Sequence, residues 1–377
     1  MITGRMPQAP TGFRMIRIGG SFKLRDHNGT GQRPLRSENP QAKTMGQDPG
    51  RCNYRDKGGT GMPETDPGRR QEAMNYDTLL AAFHQYEGRL QPRYEAFLAE
   101  HGGPDQTVPL LSEIPDYAAF FGIPEEVLQR EAEAVRKSFE RLPADTVMVR
   151  KGDGLYPERL SALPGMPLFL YVRGNAALLQ RARAVSLIGS RGASERALRE
   201  AERLSGVLGA AGYVIVSGLA RGIDAAAHTG ALEQSFDTIA VIGTPIHQAY
   251  PEENRALQDE ISRRGLVASP FSPAAQTQRW FFPARNKVMS GLTLASVIVE
   301  AGDGSGALLQ ADAALKQGRE VLIPARQADD PSLHWPAEYV RRGAKVFEDD
   351  AGLCRMLEDS SLLKEGLPVQ QTLPGCF

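Results

Sequence analysis

Residues 217–224 read Ser217-Gly218-Leu219-Ala220-Arg221-Gly222-Ile223-Asp224. They join an apolar run, Tyr213 to Val216, to a helix-like run, Ala225 to Leu232. Glycine lets backbone N–H groups approach a ligand closely. The amino end of a helix favours anions, and a guanidinium offers a fork of donors matched to phosphate. An earlier turn has the same design: Val185 to Ile188 runs into Gly189-Ser190-Arg191-Gly192-Ala193-Ser194, and a helix follows from Glu195. The two turns predict one anion-binding crevice, with Arg191 and Arg221 as its cations. Gly and Ser are also ordinary turn residues, so either turn alone reads equally as a plain βα connection.

A third stretch adds a second kind of contact. Arg279-Trp280-Phe281-Phe282-Pro283-Ala284-Arg285-Asn286-Lys287 sets three cations among three aromatics. Cations neutralise phosphates, while flat rings stack on unpaired bases whatever their sequence. Binding of single-stranded DNA or RNA needs both. The competing reading puts Trp280 and Phe281 in the core and leaves the cations solvated. The turn Glu300 to Gly306, with three glycines after a strand, either shapes the crevice wall or merely turns the chain.

The residue types for catalysis are poorly assembled. There is no Gly-x-Ser-x-Gly elbow, no Walker A lysine motif and no Gly-x-Gly-x-x-Gly, which speaks against a serine hydrolase, an ordinary nucleoside triphosphatase and a dehydrogenase. His228 lies inside the helix after Asp224 and reads as structural rather than catalytic; His247 lies in a turn. Asp224 has no nearby partner for a metal, and capping its helix is the simpler role. Cys52, Cys354 and Cys376 lack metal-ligand spacing. No catalytic residue, metal site or cofactor is expected, and scattered cysteines suit a reducing, cytoplasmic setting.

The elements that must hold these residues alternate. Strand-like runs lie at Leu168–Val172, Val185–Ile188, Tyr213–Val216, Thr238–Ile242, Leu266–Ala268, Ser296–Val299, Glu320–Ile323 and Ala344–Phe347. Helices fall between most of them; Ala197, Ala201, Leu204 and Leu208 form one apolar stripe, and Leu308, Ala311, Ala314 and Leu315 another. Apolar strands alternating with helices predict an α/β fold with a mostly parallel sheet covered on both faces.

The 377 residues allow several domains. Residues 1–73, rich in Gly, Pro, Arg, Gln and Asn, read as a disordered basic tail, and Met74 stands just before the first patterned segment. Residues 74–145 read as a small helical domain: Leu79, Leu80, Phe83, Tyr86 and Leu90 repeat at helical spacing, and a helix starting near Pro124 carries Val127, Ala134, Val135 and Phe139 on its apolar face. Residues 146–347 hold the sheet, with 146–180 as a linking region, and residues 348–377 form a short tail with one short helix, Ala351 to Leu357, before a loose end. The net charge is −1, and the first 75 residues hold 13 Lys/Arg against 7 Asp/Glu. Any polyanion site in the folded part must therefore be a local patch. No run is apolar enough to cross a membrane.

Taken in order, these residues resemble the DNA-processing protein A family, also called Smf. The likeness covers roughly residues 155–347: Tyr156-Pro157, Leu168-Phe169-Leu170-Tyr171 and Gly174-Asn175; Ile188-Gly189-Ser190-Arg191 and Ser194; all of residues 217–224 with Ala227-His228 and Gly230-Ala231-Leu232. It continues through Tyr250-Pro251 with Asn254, Phe282-Pro283 with Arg285-Asn286, Glu300-Ala301, Ser305-Gly306 and Gly343-Ala344. The resemblance implies an extended Rossmann-like, doubly wound domain that binds single-stranded DNA as a homodimer. It implies protection of incoming strands and loading of a RecA-type recombinase in natural transformation, without catalysis. Carried over by position, Arg191, Arg279, Phe282, Arg285 and Asn286 would face the strand, while Gly189-Ser190 and Ser217-Gly218 would supply backbone donors. Ser194, Arg221, Gly222 and Lys287 complete the expected interface.

Several positions depart from the family pattern. Lys287 stands where arginine is usual, which keeps the charge and loses the fork. Gly243-Thr244-Pro245-Ile246 replaces a glycine-rich turn, Gln310 an expected threonine, and Pro324-Ala325 a Pro-Gly. No winged-helix segment follows the sheet. Two other functions fit the same crevice: a sensor or N-glycosidic hydrolase for a small nucleotide, with Glu300 as its acidic group, or a strand-binding module of a mobile element or defence system.

Overall fold

The computed structural model describes residues 14–18, 21–25, 118–119 and 122–364, in two units, Met1–Met62 and Pro63–Phe377. In the first unit β1 (Arg14–Ile18) pairs antiparallel with β2 (Ser21–Arg25), Arg17 opposite Phe22. These strands fall inside the tail expected to lack regular structure. The intervening Gly19-Gly20 is a glycine pair of the kind tight hairpins favour, a local signal that the tail's composition masked.

In the second unit nine strands form one sheet among the described residues. They are β3 (Thr146–Arg150), β4 (Phe169–Gly174), β5 (Ala184–Gly189), β6 (Val214–Ser217), β7 (Thr238–Val241), β8 (Leu266–Ser269), β9 (Ala295–Glu300), β10 (Glu320–Pro324) and β11 (Lys345–Phe347). Across the sheet the order is β11-β10-β9-β5-β6-β7-β8-β4-β3. From β11 to β8 every pairing is parallel; β4 and β3 add an antiparallel edge. The fold is thus α/β and Rossmann-like, as the alternation of strands and helices predicts.

Side-chain alternation divides the core between the two faces. In β5, Val185 and Leu187 pack into one cluster with α3 (Glu195–Ala210) and α4 (Ile223–Glu233), while Ala184 and Ile188 pack into the other. That other cluster holds Val288, Met289 and Leu292 of α6 (Phe281–Leu292) and Ala311 and Ala314 of α7 (Ala307–Lys316). All four residues of the first expected stripe, Ala197, Ala201, Leu204 and Leu208, are fully buried. In the second stripe Ala311 and Ala314 are buried and Leu308 and Leu315 half-buried.

Three expectations are corrected. Residues 146–174 are not a linker: β3 and β4 extend the sheet. The signal in β3 is weak because only Val149 of its five residues is buried and Val147 is exposed, as suits an edge. Helix α1 (Glu125–Phe139) buries Leu128, Ala132 and Val135, with Val127 and Phe139 half-buried and Ala134 exposed. Its stripe packs with Phe169 and Tyr171 of β4 and Ile261 of the helix Arg255–Arg264, so α1 shares the sheet's core; residues 74–117 of the expected helical domain lie outside the described residues. Finally, α10 (Asp350–Glu358) is the short helix expected over Ala351–Leu357, but it packs into the core instead of belonging to a tail. Asp349 caps it through Gly352 N at 2.6 Å, and Leu353 and Leu357 are fully buried beside Val185 and Leu322, contributing roughly 1.5–3 kcal/mol each.

Candidate functional site

Strand β5 ends at Gly189 and its neighbour β9 ends at Glu300. The chain leaves β5 towards β6 on one side and leaves β9 towards β10 on the other. In open parallel sheets such a reversal leaves a crevice at the carboxyl ends of the strands, where ligands bind. A cleft of about 430 Å³ opens there, lined among others by Gly189, Ser190, Arg191, Phe282, Asn286 and Gln310.

Its near wall is the turn after β5. Ser190 N donates to Glu300 O at 2.8 Å, tying this turn to the end of β9. Ser190 Oγ accepts from Gly192 N at 3.3 Å. Arg191 is exposed at the mouth. The turn after β6 supports the first from behind. Gly222 has φ 72°, and a Cβ there would lie 2.3 Å from Ser190 O, so only glycine brings the two turns together. Leu219, fully buried, also holds a positive φ of 57°, with its carbonyl accepting from Asn254 Nδ2 at 2.9 Å.

The floor is charged. Arg285 is only 5% exposed, and its Nη1 donates to the carbonyls of Gly218 and Val241; its Nε donates to Asn286 Oδ1 at 3.1 Å. A Cβ on Gly218 would overlap that guanidinium. Burial pulls the Arg285 pKa down to about 10, against the attraction of the buried Asp224 carboxylate, whose own pKa burial pushes up. The floor of the cleft therefore carries a buried guanidinium set against a buried carboxyl group rather than a free cation. Beneath it His228 Nδ1 lies 2.7 Å from Thr238 Oγ1. Burial pushes the His228 pKa down to about 3, so the imidazole is neutral and structural.

The far wall belongs to α6 and α7. Phe282 stands half-buried at the lip with its ring centroid 5.3 Å from that of Tyr250, which is 55% exposed. Gly243 leaves room for the Phe282 ring, since a Cβ there would lie 2.6 Å from it. Ser305 and Gly306 bring the amino end of α7 to the cleft, a position that favours an anion. Gln310, 2% exposed, lines the same cleft, and its Nε2 is buried without a hydrogen-bond partner among the described residues.

The remaining expected residues are placed elsewhere. Ser194 caps α3 by accepting from Ala197 N at 3.2 Å, and its own N and Oγ donate to Glu300 at 2.8 and 2.7 Å. Glu300, the acidic group of the hydrolase alternative, is thereby spent on a helix cap. Ser217 is fully buried and donates to Leu187 O at 2.7 Å. Arg221 is exposed and makes a two-pronged pair with Glu253 at 2.5 and 2.7 Å. Arg279 is exposed in the loop before α6, and Lys287 lies on the opposite face of α6 from Phe282. Tyr250 and Gln310 were not in the expected interface. The one sequence signal for Gln310 is a polar residue within the apolar face of an Ala-rich helix; for Tyr250 it is an aromatic before proline after a strand.

The model of the DNA recombination-mediator protein A family matches residues 147–358. This chain belongs to that family. The match begins within β3 and ends with α10. DNA processing protein DprA of Streptococcus pneumoniae is 37% identical over 225 residues, 59% of this chain and 77% of that protein. DprA of Bacillus subtilis is 33% identical over 192 residues, covering 51% of this chain and 65% of the relative. Among solved structures, S. pneumoniae DNA processing protein A superposes with a TM-score of 0.62 at 28% identity, over 75% of this chain and 96% of that one. The Helicobacter pylori protein, described for its single-stranded DNA binding mode, gives 0.51 at 25% identity, over 58% and 96%. Among the described residues no helix is long and apolar enough to cross a membrane.

Proposed function

We propose that this protein binds single-stranded DNA in the β5/β9 cleft and acts, without catalysis, as a recombination mediator in DNA uptake. A homodimer in the cytoplasm that protects the strand and passes it to a RecA-type recombinase is the fuller form of this reading. The observation that carries it is the cleft at the sheet's switch point, which combines the exposed Arg191, the Phe282–Tyr250 aromatic pair at its lip and a helix amino end. Arg191 would neutralise a phosphate held at the amino end of α7. Phe282, flanked by Tyr250, would stack on a base, and an acceptor on the strand would complete the Gln310 amide. Asn286 and the buried Arg285 would shape the floor. Arg221 can join only by leaving Glu253.

The test is a fluorescence-anisotropy titration of the full chain with labelled oligothymidine, a duplex of equal length and mononucleotides. Tight, salt-sensitive binding of the single strand alone is expected. Saturable mononucleotide binding with no strand binding would instead favour the small-nucleotide sensor.

A further inference from the structure

Helix α6 has a second cavity on its other side. Phe282, Arg285 and Asn286 face the cleft, whereas Phe281, Ala284 and Lys287 line a hollow of about 780 Å³. Each set recurs at helical spacing, and the two sets lie on opposite faces of one helix, roughly 10 Å across. The hollow has an aromatic base. Phe271 and Phe281 are stacked with centroids 3.8 Å apart and an interplanar angle of 5°. Trp280 stands nearly perpendicular to Phe281, 4.6 Å away, and is 61% exposed. So large an indole left in water is costly for a protein that needs it only for packing. Around it the lining is polar: Gln276 and Gln278 supply amides and Lys287 a cation, with Glu131 the one carboxylate.

The two cavities meet at the amino end of α6. Trp280 precedes that helix and Phe282 stands in its first turn, one ring on each side. Arg279 is exposed immediately before them. Pro283 has no N–H to offer, but the positive end of a twelve-residue helix still favours a phosphate there. Aromatic, cation and amide is the composition that holds an unpaired nucleotide. We infer that the Trp280 hollow is a second base-binding subsite for the same DNA strand. The strand leaves the β5/β9 cleft, crosses the amino end of α6 beside Arg279, and stacks a further base on Trp280 with Lys287 against its phosphate. This rests on the strand-binding reading above; what it adds is a path across α6 and a contact assigned to residues outside the cleft.

The chain has two tryptophans, and the other, Trp335, is 3% exposed. Acrylamide therefore quenches Trp280 selectively in the unmodified full chain. With oligothymidine at saturation, judged by anisotropy of the labelled strand, the quenchable emission should fall at least about two-fold. Trp280→Leu should weaken strand binding about 5- to 150-fold, the range of one stacked base, and remove the quenchable emission. Strand binding with Trp280 as accessible as before, or undiminished in Trp280→Leu, would overturn the second subsite and leave the cleft standing. No strand binding at all would remove both.

Discussion

Arg191 and Phe282 would hold a strand by different physics, which makes them separable. An exposed guanidinium on a phosphate acts through counterion release, so Arg191→Ala should weaken binding and flatten the slope of log affinity against log salt by about 0.7. A stacked ring carries no charge; Phe282→Ala should cost about 1–3 kcal/mol with the slope unchanged. Anisotropy titrations at four salt concentrations read both quantities, and equal slopes in all three proteins would take Arg191 out of the interface. Both residues were legible in the sequence from type and setting alone. Arg285 was legible only as a cation. That it is 5% exposed and spends Nη1 on the carbonyls of Gly218 and Val241 depends on β6, β7 and α6 meeting, which no local spacing records. Tyr250 and Gln310 escaped for the same reason: each reaches the cleft only across the fold.

The elements place the cleft through Gly222, a glycine that sequence reading assigns to ligand approach and the structure assigns to packing of turn on turn. Gly222 lets the β6 turn press against Ser190 O. Gly222→Ala should cost about 1–3 kcal/mol from its positive φ alone, with the clash against a backbone carbonyl in addition. In the turn after β9, Gly304 has open space around its Cβ position and no positive φ. Gly304→Ala should leave stability within about 0.5 kcal/mol of the parent. Urea unfolding midpoints decide this; a tolerated Gly222→Ala would mean that the two turns are not mutually braced. Strand existence was legible because strands buried on both faces are nearly continuous apolar runs. The edge strand β3 was not, being short and half-exposed; α10 was legible as a helix, but as core only where Leu353 and Leu357 meet β5 and β10.

At the scale of the molecule, a net charge of −1 means that no global field draws a polyanion to the sheet. Affinity must come from the few cations beside the cleft and the hollow: Arg191, Arg279 and Lys287, with Arg221 held by Glu253 and Arg285 buried. Three phosphate contacts on a single strand give a salt slope of about −2. The first 73 residues are rich in cations but have no place in that sum, so a chain lacking them should bind oligothymidine with the same slope as the full chain. A full-chain slope steeper by one or more would show that the basic tail holds the strand as well. The measurement also tests the division of labour proposed for the fold. A shallow slope with tight binding requires that stacking on Phe282 and Trp280 supply what the small number of charges does not, and a weak, shallow interaction would mean that the two aromatic sites are not engaged together.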